Sequence, residues 1–396
     1  MSKGAIAVSL DVSAVPDRPA GAGRYVIELA GALAQTDGIE LTLVARRADE
    51  RWHEVAPTAR TLATVPSPRP LRLAYERVAL GPRLRGLRGP RLEVHHGPHY
   101  TMPSMCGPLA RVVTVHDLTF FDHPEWHERA KVPFFRAAIR QAATHADAIV
   151  CVSEVTATRL RELLEPRCDI FVAPHGVDLR RFRPEAEESR DDEMLRRFGL
   201  RVGARYVLHL GTIEPRKGIA VLVEAFDHLA ADDDGLELVL AGAPGWGVDD
   251  VDAALRRSAS GGRVRRLGWV PDETVPALLR RAAVVAYPSF EEGFGLPALE
   301  ALACGAPLVT TTGTAMAEVA GEAALTVPAG DAASLAGALR RAIGAGASEQ
   351  ETRRRAGLER CRRFTWAWAA AVHMEAYTAA RSAKSRTHRG ARPSPG

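Results

Sequence analysis

The stretch Ala286-Tyr-Pro-Ser-Phe-Glu-Glu-Gly-Phe-Gly-Leu-Pro-Ala-Leu-Glu-Ala-Leu-Ala-Cys-Gly-Ala-Pro-Leu-Val309 decides how this 396-residue chain is read. An apolar run ends at Tyr287, and a loop with two glycines follows. Pro297 stands where a helix begins, because its fixed φ suits the first turn and its missing N–H costs nothing there. Glu292 therefore falls on a loop and Glu300 in the first turns of a helix. Glycine lets the backbone of Gly293, Phe294, Gly295 and Leu296 approach a ligand closely. The amides of a helix start, aided by the helix dipole, face an anion. A second apolar run, Leu308 to Thr311, makes the unit strand–loop–helix–strand, the repeat of a parallel sheet covered by helices.

The same repeat extends in both directions. Upstream lie strand-like runs at Tyr206–Leu210, Glu237–Ala241, Val264–Leu267 and Val284–Tyr287, and Ala324–Val327 follows. Helical spacing fits Gly218–Ala230, Val251–Ser258, Thr274–Arg281 and Ala333–Ile343. The first of these strands leads into His209-Leu-Gly-Thr-Ile-Glu-Pro-Arg-Lys-Gly218. Arg216 and Lys217 are adjacent cations beside a helix start. Arginine grips phosphate oxygens in a bidentate fork, and lysine adds a point charge. Lysine is scarce here, at positions 3, 131, 217 and 384, so its presence in this loop is informative.

The first part of the chain alternates in the same way, with strand-like runs at Ile6–Asp11, Leu41–Ala45, Val112–His116, Ala148–Val152 and Ile170–Ala173. Helical patterns cover Tyr25–Ala34, Val132–Ala143 and Glu154–Leu164. A Gly-rich turn, Pro19-Ala-Gly-Ala-Gly23, separates the first strand from the first helix. His116 ends a strand of a parallel sheet, where it can hydrogen-bond a hydroxyl or a developing charge. The polar segment Asp178–Asp191, with Pro184, reads as a linker. The expected fold class is α/β, with two doubly wound, Rossmann-like domains facing a cleft. The boundaries are 1–180, 181–362, a helix over 363–380 packing back on the first domain, and a disordered basic tail over 381–396.

Composition excludes several classes. The chain is 46% hydrophobic and 25% charged, as soluble globular proteins are. No apolar run is long enough for a transmembrane helix, and the N-terminus lacks the form of a secretory signal. The cysteines Cys106, Cys151, Cys168, Cys304 and Cys361 are scattered, which fits a reducing cytoplasm rather than a disulfide framework. No Asp or His cluster has metal-ligand character, so neither a metal nor a cofactor is expected. Net charge is a mild +4, unevenly spread. Arg69–Arg91 is rich in arginine, and its single acid is Glu76.

The segment around Glu292 and Glu300 resembles the Glu-x7-Glu motif of family 4 glycosyltransferases, a retaining group with the GT-B fold. The resemblance implies that Glu292 holds hydroxyls of the transferred sugar and Glu300 the ribose, with Gly293, Phe294, Gly295 and Leu296 against sugar and phosphate. It implies that Arg216 and Lys217 neutralise the donor diphosphate without a metal, and that His116 is the functional histidine of the first domain. Gly21 and Gly23, in Gly21-Ala-Gly23-Arg24-Tyr25, match the family's first Gly-rich loop. Gly211, Gly242, Trp269 and Val270 match loops around the diphosphate and base. His99, Tyr100 and Asp117 are weaker candidates on the acceptor side. The His-Asp-Leu…Pro-Glu wording after Val115 is similar to the branch that builds surface polysaccharides, often with mannosyl donors. Many relatives have Ser and Pro within the segment here written Thr312–Glu318, so that loop departs from the pattern.

The expected reaction is transfer of a hexosyl unit, mannosyl favoured, from a GDP- or UDP-sugar to a glycan, lipid-linked or small-molecule acceptor. The expected site of action is the cytoplasm. A peripheral contact is expected there, Arg69–Arg91 with its interleaved Leu71, Leu73, Tyr75, Val78 and Leu80 touching anionic headgroups. Three alternatives stay open: a sugar-nucleotide epimerase of the same fold, an NAD-dependent enzyme, and a nucleic-acid-binding protein. The incomplete Gly pattern disfavours the second. The modest charge and the lack of a recognisable module disfavour the third, so no nucleic-acid partner is expected.

Overall fold

A computed structural model describes residues 4–390, apart from 48, 88–90, 105 and 186–187. The chain forms two compact units. The first comprises Met1–Asp122, Arg129–His175 and Trp366–Gly396; the second comprises His123–Glu128 and Gly176–Thr365.

The first unit holds strands β1 (Ile6–Asp11), β2 (Ile39–Arg46), β3 (Arg60–Val65), β4 (Val94–Gly97), β5 (Ala110–Val115), β6 (Ala148–Cys151) and β7 (Ile170–Val172). They form one sheet in the order β3-β2-β1-β4-β5-β6-β7. The pairings are parallel, with Val8 opposite Leu41 on one side and Val94 on the other. Every residue of β1 is buried, as a parallel strand covered on both faces requires. The second unit holds β8 (Arg205–Leu210), β9 (Leu236–Ala241), β10 (Val264–Gly268), β11 (Val284–Tyr287), β12 (Leu308–Thr311) and β13 (Ala324–Val327), in the order β10-β9-β8-β11-β12-β13. Both orders reverse direction once, between β1 and β4 and between β8 and β11. Open α/β sheets bind ligands at such a switch point, beyond the carboxyl ends of the strands.

Each sheet is buried beneath helices. In the first unit the helix Gly21–Ala34 sets Tyr25, Val26, Leu29, Ala30 and Leu33 against β1 and β2, with Trp52 beside them. In the second, the helices Ile219–Ala230 and Ala332–Gly344 share a core with Val207, Leu238 and Val309.

Several expectations change. Residues 381–390 continue the helix Trp366–Gly390 instead of being disordered; 391–396 lie outside the described residues. That helix belongs to the first unit, where Ala370, Ala376, Tyr377 and Ala380 join the core around β1. The polar segment taken as a linker already contains the start of a helix, Glu188–Arg196, and the boundary between the units falls at His175/Gly176. Gly21 and Gly23 stand in the first turn of a helix, not in a turn before it. A Cβ on Gly23 would lie 2.9 Å from the Pro19 side chain, so the glycine permits a close packing contact. The strands β3 and β4 were not anticipated: β3 is half exposed, and β4 reads Val-His-His-Gly. The helix Ala347–Arg363 was also missed; it buries only Gly357 and Cys361 and so carries no apolar stripe.

Candidate active site

In the second unit the loops after β8 and β11, on either side of the switch point, carry the candidate residues. After β8 a single 3-10 turn, Pro215–Lys217, ends at Gly218. Gly218 has φ +65°, and a Cβ there would lie 2.1 Å from the carbonyl oxygen of Pro288. Only glycine lets the two loops meet backbone to backbone. The contact continues through the Phe290 amide, which donates to the Arg216 carbonyl at 2.8 Å. After β11, Gly295 (φ +112°) precedes the helix Leu296–Ala303, with Pro297 in its first turn. A Cβ on Gly295 would lie 2.6 Å from Met316 Cγ, within the segment that departs from the family pattern.

This loop contact brings Glu292, Arg216 and Lys217 together. Glu292 Oε2 accepts from Arg216 Nη1 at 2.8 Å, while Oε1 accepts from Lys217 Nζ and, at 2.9 Å, from Ser289 Oγ. Arg216 is held from behind by Glu214, with Nη2 to Oε1 at 2.7 Å. Glu292 and Lys217 are both buried. Burial alone would raise the Glu292 carboxyl, but Arg216 and then Lys217 outweigh it and hold it down to about 2. Lys217 is pushed below its ordinary value, by burial first and by Arg216 second. One carboxylate and two cations, from separate loops, thus form one salt-bridged cluster. Burying the Glu292 and Lys217 charges costs solvation, which pairing with each other and with the half-buried Arg216 offsets.

Behind the cluster sits His209, the penultimate position of β8. Its Nδ1 donates to the Ala286 carbonyl at 3.0 Å, and its Nε2 is buried without a hydrogen-bond partner among the described residues. Burial, and then Lys217, lower it to about 4, so it is neutral at pH 7. The buried Tyr287 hydroxyl also lacks a partner among the described residues. Glu300 is buried in the helix Leu296–Ala303. Phe294 is buried with its ring edge-on to Phe364 at 6.0 Å, and Leu296 is buried too. Gly211 and Gly242 end β8 and β9, and a Cβ on Gly242 would meet the Gly211 carbonyl oxygen at 1.9 Å. Beyond β10, Trp269 is 50% exposed and Val270 is buried.

In the first unit His116 follows β5. Its Nε2 donates to the Pro98 carbonyl at 2.8 Å, and the Tyr25 ring stands edge-on to it at 5.1 Å. Burial lowers its pKa, against the Pro98 hydrogen bond and Asp117, which raise it. His99 and Tyr100 each lie 5.5 Å from His116, ring centre to ring centre. Tyr100 has φ +63°, which costs a non-glycine residue energy. It is held by its amide to Thr114 and by its hydroxyl, which accepts from the Asp117 amide at 3.2 Å. Asp117 itself caps the next turn, accepting from Thr119 Oγ1 at 2.8 Å. Sequence reading brought out His116 but gave no role to Tyr25, His175 or His373 beside it. The Tyr25 hydroxyl pairs with Thr114 Oγ1 at 2.9 Å and His373 Nε2 at 3.0 Å, and His175 stacks on its ring at 4.7 Å. His96 links Thr114 to Tyr377, both at 2.8 Å. Ser289 and Glu214 were missed in the second unit. A hydroxyl three residues before Glu292 and an acid two before Arg216 were their only signals.

Residues 19–181 match the model for Glycosyltransferase Family 4, and residues 204–345 match the one for Glycosyl transferases group 1. The O-antigen chain mannosyltransferase B of Escherichia coli is 31% identical over 275 residues, 69% of this chain and 71% of that protein. The chain belongs to glycosyltransferase family 4. Two solved structures show that this glycosyltransferase shares their fold. One is sucrose-phosphate synthase from Thermosynechococcus elongatus, with a TM-score of 0.70 at 21% identity, covering 97% of this chain and 98% of that one. The other is HepE of Anabaena in complex with UDP-glucose, with a TM-score of 0.66 at 17% identity, covering 97% and 100%.

Proposed function

We propose that this glycosyltransferase moves a hexosyl unit, mannosyl favoured, from a GDP- or UDP-sugar to a glycan, lipid-linked or small-molecule acceptor, with retention and without a metal ion. The observation that carries the reading is the Glu292–Arg216–Lys217 cluster at the β8/β11 switch point. An ionised carboxylate flanked by two cations offers acceptors for sugar hydroxyls and countercharge for a diphosphate within one site. The amides that open the helix Leu296–Ala303 add donors for phosphate oxygens, and Glu300 falls to the ribose. Gly211, Gly242, Trp269 and Val270 lie at the strand ends, where the nucleotide would extend. Arg216 and Lys217 supply the charge that a metal would otherwise give to the leaving group. The acceptor hydroxyl then attacks the anomeric carbon on the face from which the diphosphate departs, and its proton passes to the departing phosphate oxygen. His116, neutral at pH 7, serves as a hydrogen-bonding group at the sugar, with His99 and Tyr100 on the acceptor side and Gly21 and Gly23 near the phosphates. The name of the Escherichia coli relative supports the mannosyl choice. Both family models describe glycosyltransferases, which does not favour the epimerase alternative.

Thermal stabilisation by a panel of nucleotide sugars identifies the donor. Product NMR with that donor then tests the stereochemistry, and an inverted anomeric configuration would refute retention. A peripheral membrane contact fits the segment Arg69–Arg85. It turns Leu71 and Val78 outward, 58% and 60% exposed, beside exposed Arg77, Arg83 and Arg85, and it buries Leu80 and Leu84. Residues 88–90 of the basic stretch lie outside the described residues. No helix among the described residues is long and apolar enough to cross a membrane. Flotation with anionic but not zwitterionic vesicles is the expected outcome, and equal absence from both would end this part of the reading.

A further inference from the structure

The second unit contains a piece of chain that its sequence position does not suggest. Residues His123–Glu128, between β5 and β6 in sequence, group with the second unit, while the residues on either side belong to the first. The piece is short and ordered by its own contacts. Pro124–Trp126 form one 3-10 turn, closed by the His127 amide donating to the Pro124 carbonyl at 3.2 Å. The His123 ring stacks on Trp126 with centres 3.7 Å apart and planes 14° from parallel. Glu125 Oε1 holds His123 Nδ1 at 3.1 Å.

The stack rests on the loop that carries Glu292. Trp126 faces Phe290 at 6.0 Å between ring centres, and His123 Nε2 lies 3.8 Å from Glu291 Oε2. Phe290 and Glu291 are the two residues immediately before Glu292. They are fixed on another side by the turn after β8: the Phe290 amide donates to the Arg216 carbonyl, and Arg216 Nη1 donates to the Glu291 carbonyl at 3.4 Å. The Phe290 side chain is still 36% exposed. Backbone contacts therefore hold one side of the loop, and the 123–126 strap engages the Phe290 and Glu291 side chains through these ring and charge contacts.

We infer that Trp126, with His123 stacked on it, is a positioning residue that holds the Phe290–Glu292 loop in the register at which Glu292 meets the donor sugar. The inference rests on the proposed role of Glu292. It acts chiefly on the sugar half of the donor, because Arg216 and Lys217, the cations for the diphosphate, come from the other loop. Removing the Trp126 ring should therefore weaken a nucleotide sugar more than the matching nucleoside diphosphate.

The test compares calorimetric affinities of the full chain for GDP-mannose and GDP, with UDP-glucose and UDP as the second pair, in wild type, Trp126→Ala and Trp126→Phe. Expected is a loss of about fivefold to tenfold for the nucleotide sugar in Trp126→Ala, with the diphosphate changed by less than about twofold. Trp126→Phe should recover most of that loss, since a second flat ring restores the stack on His123 and Phe290. Equal losses for sugar and diphosphate would overturn the inference, showing a general structural role, and so would unchanged binding of both. If wild type gains nothing from the sugar in either pair, the role given to Glu292 fails first, and the inference falls with it.

Discussion

The two units present opposite electrostatic solutions at the same place in the same fold. At the β8/β11 switch point the second unit concentrates formal charge, and Glu292 stays ionised because two cations surround it. Around β4 and β5 the first unit concentrates histidines and keeps them neutral. Burial lowers His95 and His373 to about 4 and His99 to about 3, and it pushes His96 and His175 well below their ordinary value. Their partners are hydroxyls, carbonyls and ring faces: Ser9 for His95, Thr114 and Tyr377 for His96, and Ala369 and Tyr25 for His373. The difference teaches how each half keeps polar groups buried: the second unit pairs opposite charges, whereas the first keeps its histidines uncharged and satisfies them with neutral donors and acceptors.

The largest expected effect strikes the charged half. Lys217→Ala and Glu292→Ala should each lower kcat by roughly 10²-fold or more, with far-UV circular dichroism unchanged. Near wild-type turnover in both would break the comparison, because the charges would then serve the fold alone. Acidification should act next, on the neutral half. A histidine held neutral in the fold contributes stability that is whole above its unfolded value of 6.5 and is lost as pH falls toward its folded value. For His95 and His373 that window is 6.5 to about 4. The loss should approach ~2 kcal/mol for each such histidine at pH 5. Glu292 has the same sign but a lower window, so its contribution is whole above 4.5 and fades only toward about 2. Hydrogen exchange at pH 5 against pH 7.5 should therefore show β4 and β5, beside several such histidines, losing more protection than β8 and β11, where His209 shares the same window; equal loss would contradict the contrast. The smallest effect belongs to Tyr25→Phe. It removes the hydroxyl shared by Thr114 and His373 and should cost about 1–3 kcal/mol in urea unfolding. A neutral result would mean that the two partners re-pair with each other.

The second unit was the more legible of the two in sequence, for physical reasons. Its strands β11, β12 and β13 were read to the residue, because each is a short continuous apolar run closed by Gly, Pro or Thr. The residues Arg216, Lys217 and Glu292 were found one loop at a time. Their union was not legible, because it depends on Gly218 letting loops 75 residues apart meet. In the first unit β4 was invisible: two fully buried histidines look polar in a one-dimensional pattern. The tail misled for a related reason. Arg381 reads as solvated charge, yet it pairs with Glu93 at 3.3 Å, and Lys384 reaches Asp147 at 3.7 Å, so the basic residues prolong a helix.

The placement of the helix Trp366–Gly390 has a consequence for how the protein is made. His373 closes the hydrogen bonds of Tyr25, and Tyr377 closes those of His96, yet a ribosome delivers both only after the whole of the second unit. The second unit is synthesised whole before them, so it can finish folding first although it comes later in the gene. Until then the nascent first unit exposes an open apolar seam and two unfinished polar networks, which makes it the stage most dependent on a chaperone.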